Sequence, residues 1–248
     1  MPTPEPDPWA ALQAFTAARI ALGRSGSSVP LREALAFKLA HAHARDAVYS
    51  ALETGRLLAE LAALQLPACP VQSRAQSRQD YLQRPDWGRQ LDDASKTTLT
   101  KQAAGECDLA IILADGLSAT ATNEHALLLL RHLLPPLQKA GFRLGPVVLA
   151  EQGRVALGDE IGQRLKARLA LVLLGERPGL SAPHSLGAYL TFGPRPGLTD
   201  EARNCVSNIR PEGLAYPLAA DRLFFLVSES LRRQLSGVGL KDESKLLS

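Results

Sequence analysis

Asp108-Leu109-Ala110-Ile111-Ile112-Leu113-Ala114, closed at once by Asp115-Gly116, carries no polar residue after its first position. An apolar run this short and continuous is the pattern of a β-strand buried on both faces. The alternation continues toward the C-terminus. A helical stretch over Asn123–Leu134 precedes a second strand over Phe142–Ala150, a helix over Ile161–Ala167 and a third strand over Leu169–Leu174. A fourth strand over Leu186–Phe192 and an amphipathic helix over Tyr216–Leu235, ending near Gly237, complete the pattern. Strands alternating with helices after position 105 predict an α/β fold, a mostly parallel sheet flanked by helices.

Toward the N-terminus the rhythm differs. From Pro30 to Leu66, leucines and valine recur among good helix formers (Leu31, Leu35, Leu39, Val48, Leu52, Leu57, Leu58, Leu61), with Pro30 suited to a first turn and Pro67 closing the run. This predicts an N-terminal helical segment. Gln72–Ser95 is polar and aperiodic, with a few apolar anchors (Tyr81, Leu82, Trp87, Leu91), and reads as a linker with some helical turns. Met1–Pro8 is Pro-rich and extended, and Lys241–Ser248 is a polar tail. The organisation expected is therefore residues 1–100 as helical segment and linker, making subunit contacts, and residues 101–248 as a ligand-binding domain.

Composition excludes several function classes. The chain has 248 residues, and its 28 basic against 25 acidic side chains give a net charge of +3, too small and too dispersed for a nucleic-acid partner. With 46% hydrophobic residues it buries a real core. No run approaches the ~18 apolar residues of a membrane span, and acidic, Pro-rich Met1–Pro8 is the opposite of a signal peptide. Cys69, Cys107 and Cys205 are an odd set at long spacings, which points to a reducing cytoplasm without a structural zinc site.

In an open parallel sheet, ligands bind beyond the carboxyl ends of the strands. Three segments stand out there. Ala114-Asp115-Gly116-Leu117-Ser118-Ala119 offers a sharp turn and, in Ser118, a helix cap. Gly175-Glu176-Arg177-Pro178-Gly179-Leu180 combines a tight backbone with two opposite charges, available to a polar ligand or to each other. Arg203-Asn204-Cys205-Val206-Ser207-Asn208-Ile209-Arg210 is dense in directional hydrogen-bonding groups, which suits a large polar ligand. Cys205 is either a nucleophile or, more often for a lone cysteine, a small buried hydrophobe.

No G-x-S-x-G elbow, phosphate loop or G-x-G-x-x-G follows a strand, so the commonest hydrolase, NTPase and nicotinamide classes find no support. His41, His43, His125, His132 and His184 show no metal-ligand spacing. Asp92-Asp93 and Asp159-Glu160 pair carboxylates, but adjacent acids on turns are usually solvated.

Taken in order, six blocks resemble the small subunit of ethanolamine ammonia-lyase. They are Thr16–Arg24, Leu39–Ala47, Leu113–Ala119, Gly153–Glu160, Gly175–Leu180 and Arg203–Arg210. Val206 stands where isoleucine is expected, and the N-terminal region is short for the family. The resemblance implies a Rossmann-like domain forming part of an adenosylcobalamin-dependent lyase that converts ethanolamine to acetaldehyde and ammonia by a radical route. It implies a large catalytic subunit as partner, in a six-plus-six hetero-oligomer, with cobalamin at the interface between the chains. By motif position it carries over Val155, Glu176 and Cys205 as cobalamin contacts: Val155 on an apolar face, Glu176 accepting from cofactor amides, and Cys205 beside the corrin. No residue is carried over as catalytic or as a metal ligand. The sequence has no D-x-H-x-x-G, so the cofactor is expected to keep its benzimidazole on cobalt. The location implied is the cytoplasm, with a bacterial microcompartment as the enclosed alternative, and helix Pro30–Leu66 is the candidate for packing on the large subunit. Two other functional classes remain: a stand-alone Rossmann-like binder of cobalamin or a nucleotide, and a hydrolase using Cys205 or Ser118. An obligate subunit should leave a large apolar patch when isolated, whereas a free-standing binder should not.

Overall fold

The computed structural model describes residues 7–16, 18–103 and 105–242. The start and tail of the chain, residues 1–6 and 243–248, lie outside the described residues. The strands are β1 (Ala68–Gln72), β2 (Cys107–Ala114), β3 (Val147–Glu151), β4 (Ala167–Gly175), β5 (Leu186–Phe192) and β6 (Arg203–Ile209). They form one sheet in the order β1-β3-β2-β4-β5-β6. The helices are α1 (Leu31–Tyr49), α2 (Thr54–Ala63), α3 (Arg78–Gln83), α4 (Asp93–Gln102), α5 (Ala119–Lys139), α6 (Leu157–Arg164) and α7 (Tyr216–Arg233).

β2 is buried along its whole length, as its sequence requires. Leu109, Ile111 and Leu113 point to the face covered by α2, α5 and α7, whereas Ala110, Ile112 and Ala114 point to the face covered by α6 and by Leu99 of α4. The sheet is thus a middle layer between two layers of helices. Ser118 caps α5, its side chain accepting from the Ala121 N–H. α5 is longer than the sequence pattern suggested, running through Pro135 and Pro136 to Lys139.

The expectation of a Rossmann-like, mostly parallel sheet holds for the first four strands and needs correction for the last two. β1, β3, β2 and β4 run parallel, but β5 is antiparallel to both β4 and β6. The reason is connectivity. A parallel return needs a crossover long enough for a helix, which α5 and α6 provide, but between Gly175 and Leu186 there is no helix and the chain turns straight back. The fold is α/β with a mixed sheet. β6 occupies the segment read from sequence as a ligand loop, and β1 supplies an edge strand from just before the segment read as a linker.

The single helix expected over Pro30–Leu66 is two. Ser50 is extended at the end of α1, and Asn123 of α5 holds the break: its Oδ1 accepts from Glu53 N–H at 3.0 Å and its Nδ2 donates to Ala51 O at 3.0 Å. The two helices do different work. α2 buries Leu57 and Leu61 against the sheet layer, while Leu31, Leu35, Phe37 and Leu39 of α1 stay exposed.

Candidate functional site

The carboxyl ends of β2, β3 and β4 converge on one side of the sheet, and the loops leaving them are locked together. Leu117 N–H donates to Gly175 O at 2.9 Å, joining the β2 and β4 loops. Asp115 joins the β2 and β3 loops: Oδ2 accepts from Gln152 N–H at 2.8 Å and Oδ1 from Gly153 N–H at 2.9 Å. These two bonds hold Gln152 in a left-handed conformation (φ 52°) that a glutamine seldom adopts unaided. The next residues, Arg154 and Val155, are thereby aimed over the sheet end.

Arg78 reinforces this arrangement from α3. Its guanidinium donates to Val48 O, to Gly116 O at 2.8 Å and to Gln152 Oε1 at 3.3 Å, and it lies 3.9 Å from the Asp115 carboxylate. Tyr81, one turn along α3, is packed between two cations, with Arg78 4.6 Å and Arg154 4.4 Å from its ring centroid. Arg154 also donates to Tyr81 O at 2.8 Å. Burial pushes the Tyr81 hydroxyl up to about 12, so it stays protonated at neutral pH.

Over this floor lies an open cavity of about 470 Å³ lined by Tyr81, Leu117, Arg154, Val155, Leu174, Gly175, Glu176, Arg177 and Tyr189. Val155 and Glu176, distant in sequence, both line it. Cys205 stands beside it: in the β5–β6 register it faces Tyr189, with which it shares a side-chain hydrogen bond. Glu176 Oε2 accepts from Ser185 Oγ at 2.6 Å and from Asn208 N–H at 3.4 Å, whereas Oε1 accepts no hydrogen bond from the described residues. Gly187 makes room for that carboxylate, since a Cβ there would lie 2.8 Å from Oε1.

The remaining candidates have structural partners. Ser118 Oγ donates to Pro183 O as well as capping α5. Cys205 is exposed, but desolvation holds its thiol above the ordinary value, the Glu176 charge adding to this and the Tyr189 hydrogen bond opposing it. Neither residue has a histidine partner among the described residues, so nothing activates either as a nucleophile. His125 has both ring nitrogens engaged, by Tyr216 Oη and His184 O. Asp92 caps α4 and Asp93 pairs with Lys96, while Asp159 is bound by Arg203 and Glu160 by Arg164. Among the described residues no cluster of His, Cys, Asp and Glu could hold a metal ion. Tyr81, Arg154 and Tyr189 were missed as site residues. Tyr81 stood out only as an aromatic anchor in an otherwise polar segment, Arg154 only as a member of the Gly153–Glu160 block, and nothing local marked Tyr189.

Asp115 carries a pH dependence that can be measured. Burial pushes its carboxyl up to about 6, against the opposing pull of Arg78 and the Gln152 and Gly153 N–H groups. An unfolded aspartate titrates near ~3.9, so between about pH 4 and about pH 6 the folded state binds more protons than the unfolded one. Stability conferred by the protonated form is therefore lost as pH rises through that window, by about 3 kcal/mol in all. Denaturation of wild type and Asp115→Asn across this range should show the wild-type stability falling relative to the variant by that order. A constant difference would place the carboxyl at its ordinary value.

The sequence family described as ethanolamine ammonia-lyase light chain matches residues 6–241. Among similar proteins, the ethanolamine ammonia-lyase small subunit of Azotobacter vinelandii is 53% identical over 97% of this chain and 90% of its own. That of Bradyrhizobium diazoefficiens is 55% identical over 94% and 90%, and that of Pseudomonas putida 51% over 99% and 91%. The match spans the cavity loops and the strands that carry them, and the chain belongs to the ethanolamine ammonia-lyase small-subunit (light-chain) family.

Proposed function

We propose that this chain binds adenosylcobalamin through the cavity at the carboxyl ends of β2, β3 and β4, with Val155, Glu176 and Cys205 as contacts, and that a large catalytic subunit closes the other side. The observation that carries this is the meeting of Val155 and Glu176 in one open cavity, with Cys205 beside it through Tyr189. The lining fits the chemistry of a corrin, a broad apolar ring edged with amides. Val155, Leu117 and Leu174 offer apolar surface, Glu176 Oε1 is an acceptor without a protein partner, and the protonated Tyr189 hydroxyl and Arg177 add polar contacts. When bound, the cofactor supplies cobalt–carbon homolysis, which starts the radical conversion of ethanolamine to acetaldehyde and ammonia.

This chain's residues bind and orient. Asp115, Arg78 and Tyr81 hold the loops that present Val155, and the bond from Ser185 holds Glu176 across Gly187. The cofactor is expected to retain its own benzimidazole on cobalt, a reading that rests on the sequence having no D-x-H-x-x-G. The exposed apolar side chains of α1, Leu31, Leu35, Phe37 and Leu39, favour a subunit over a stand-alone binder and make α1 our candidate contact with the large subunit in a six-plus-six assembly. Three unpaired thiols favour the reducing cytoplasm, inside or outside a microcompartment. Among the described residues no helix is long and apolar enough to cross a membrane.

Ethanolamine-dependent acetaldehyde release with adenosylcobalamin tests the reading, comparing this chain, the large subunit and the co-expressed pair. Activity is expected only in the pair. Turnover by the large subunit alone, or an inactive pair, would remove the proposal's basis.

A further inference from the structure

Beside the cofactor cavity, and sharing Arg154 and Val155 with it, lies a second cavity of about 620 Å³. Its walls come from the turn carrying Arg89 and Gln90, the start of α6, and the segment from Pro196 to Arg203. We infer that this second cavity is an anion site, built by Arg89 and Arg154, that takes the phosphodiester of the cobalamin nucleotide tail while the ring occupies the first. The inference rests on the cofactor reading above and adds the part of the cofactor that the three carried-over contacts leave unaccounted for.

Charge accounting around the cavity carries the argument. Three acidic residues line it, and each has a partner within the protein. Asp159 receives both terminal nitrogens of Arg203, at 2.7 and 2.8 Å. Glu160 Oε1 receives Arg164 at 3.0 Å, and its Oε2 receives Leu91 N–H at 2.9 Å. Asp200 lies 3.5 Å from Arg203 Nε. The two remaining cations have no carboxylate. The Arg89 side chain makes no hydrogen bond or ion pair with any described residue, and Arg154 donates only its Nη2, to a backbone carbonyl, leaving Nη1 without a protein acceptor. Arg203 serves both Asp159 and the fully exposed Asp200, so four arginines (Arg89, Arg154, Arg164 and Arg203) stand against three carboxylates and a ligand entering the cavity meets a net excess of one positive charge.

The two guanidinium-bearing segments are also fixed to each other. Arg154 N–H donates to Gly88 O at 2.8 Å, so the residue adjoining Arg89 is bonded directly to Arg154. Gly88 is buried, and a Cβ there would sit 3.1 Å from Arg154 Cγ and 3.2 Å from the Tyr81 ring. A side chain at position 88 would thus press on the slot in which the Arg154 stem lies. Both arginines line the one cavity, and arginine's planar fork suits a phosphate better than a lysine would. The shared wall selects the source: Arg154 and Val155 line both cavities, so an anion carried by the ligand bound in the first lies next to this site.

The test uses the co-expressed two-subunit complex and measures affinity by absorbance titration with cyanocobalamin and with dicyanocobinamide, which lacks the phosphodiester and nucleotide. Arg89→Gln removes one charge from an exposed side chain without a protein partner, so the fold is expected to be unchanged. The expected result is a loss of cobalamin affinity of roughly tenfold with cobinamide affinity unaltered. Equal losses for both ligands, or no loss for either, would overturn the inference while leaving the cofactor reading standing. A wild-type complex that binds neither ligand would overturn both. Inorganic phosphate, titrated alone, separates the other source: binding lost in Arg89→Gln with no discrimination between cobalamin and cobinamide would make this a site for free phosphate and defeat the tail assignment.

Discussion

Replacing Arg203 by methionine is expected to lower the stability of the fold by about 3–5 kcal/mol. Arg203 lies on β6 with its side chain 3% exposed, and it clamps three elements. It donates to both oxygens of Asp159 on α6, to Thr191 Oγ1 of β5 at 3.0 Å and to Leu198 O at 3.1 Å. Methionine fills much of the volume but leaves the Asp159 carboxylate, 2% exposed, buried without a counter-charge. That desolvated charge is the source of the cost, and it predicts a compensation. Arg203→Met combined with Asp159→Leu should recover most of the loss, because replacing a buried ion pair as a unit is often close to neutral. Thermal melts read both: at ~2–4 °C per kcal/mol for a chain of this size, the single variant should melt roughly 6–20 °C lower. A single variant within about 1 kcal/mol of wild type would show that the pair is not the clamp described.

Gly175→Ala is expected to cost about 3 kcal/mol or more and, on the proposed function, to weaken cobalamin binding with it. Gly175 ends β4 where the β2–α5 loop crosses it, and a Cβ would lie 1.9 Å from Ser118 O and 2.9 Å from Asp115 O. Both obstacles are backbone atoms, so no rotamer relieves the clash. Relief requires moving Ser118, which caps α5, or Gly175 itself, which precedes Glu176 in the cavity wall. Stability and cofactor affinity should therefore fall together. A variant that melts like wild type would mean that the loop yields freely, and one that melts lower yet binds cobalamin normally would separate the clash from the site.

These two positions show how unevenly the sequence announced its structure. Gly175 was legible as a tight backbone beside Glu176. Arg203 was read with its neighbours as a polar ligand loop, whereas it is the start of a strand with its guanidinium buried. The misreading has a physical cause. Buried residues on β6 are Arg203, Val206 and Ile209, spaced by three: Arg203 faces α6 while Val206 faces the opposite layer, and a register shift between Leu186 and Ala188 sets an extra residue on β6 before Ile209, where Asn208 is left-handed (φ 58°). An irregular strand with an arginine facing inward does not show the alternation by which strands are recognised.

Local chemistry in the sequence by itself determined that β2, β4 and β5 are strands, that α5 and α7 are helices, and that Ser118 caps the first of these. Apolar runs, periodicity and capping residues act over a few positions, so one segment is enough to read them. The six matching blocks likewise identified the family. Tertiary structure alone decided strand direction and order, the division of the N-terminal helix at Ser50, the burial of Arg203 against Asp159, and the meeting of Val155, Glu176 and Tyr189 around one cavity. Each depends on groups distant in the chain: Asn123 holding the turn after α1, Asp115 holding the loop after β3, and the helix-free return from β4 to β5. Interactions closed only by folding leave no local pattern in the sequence.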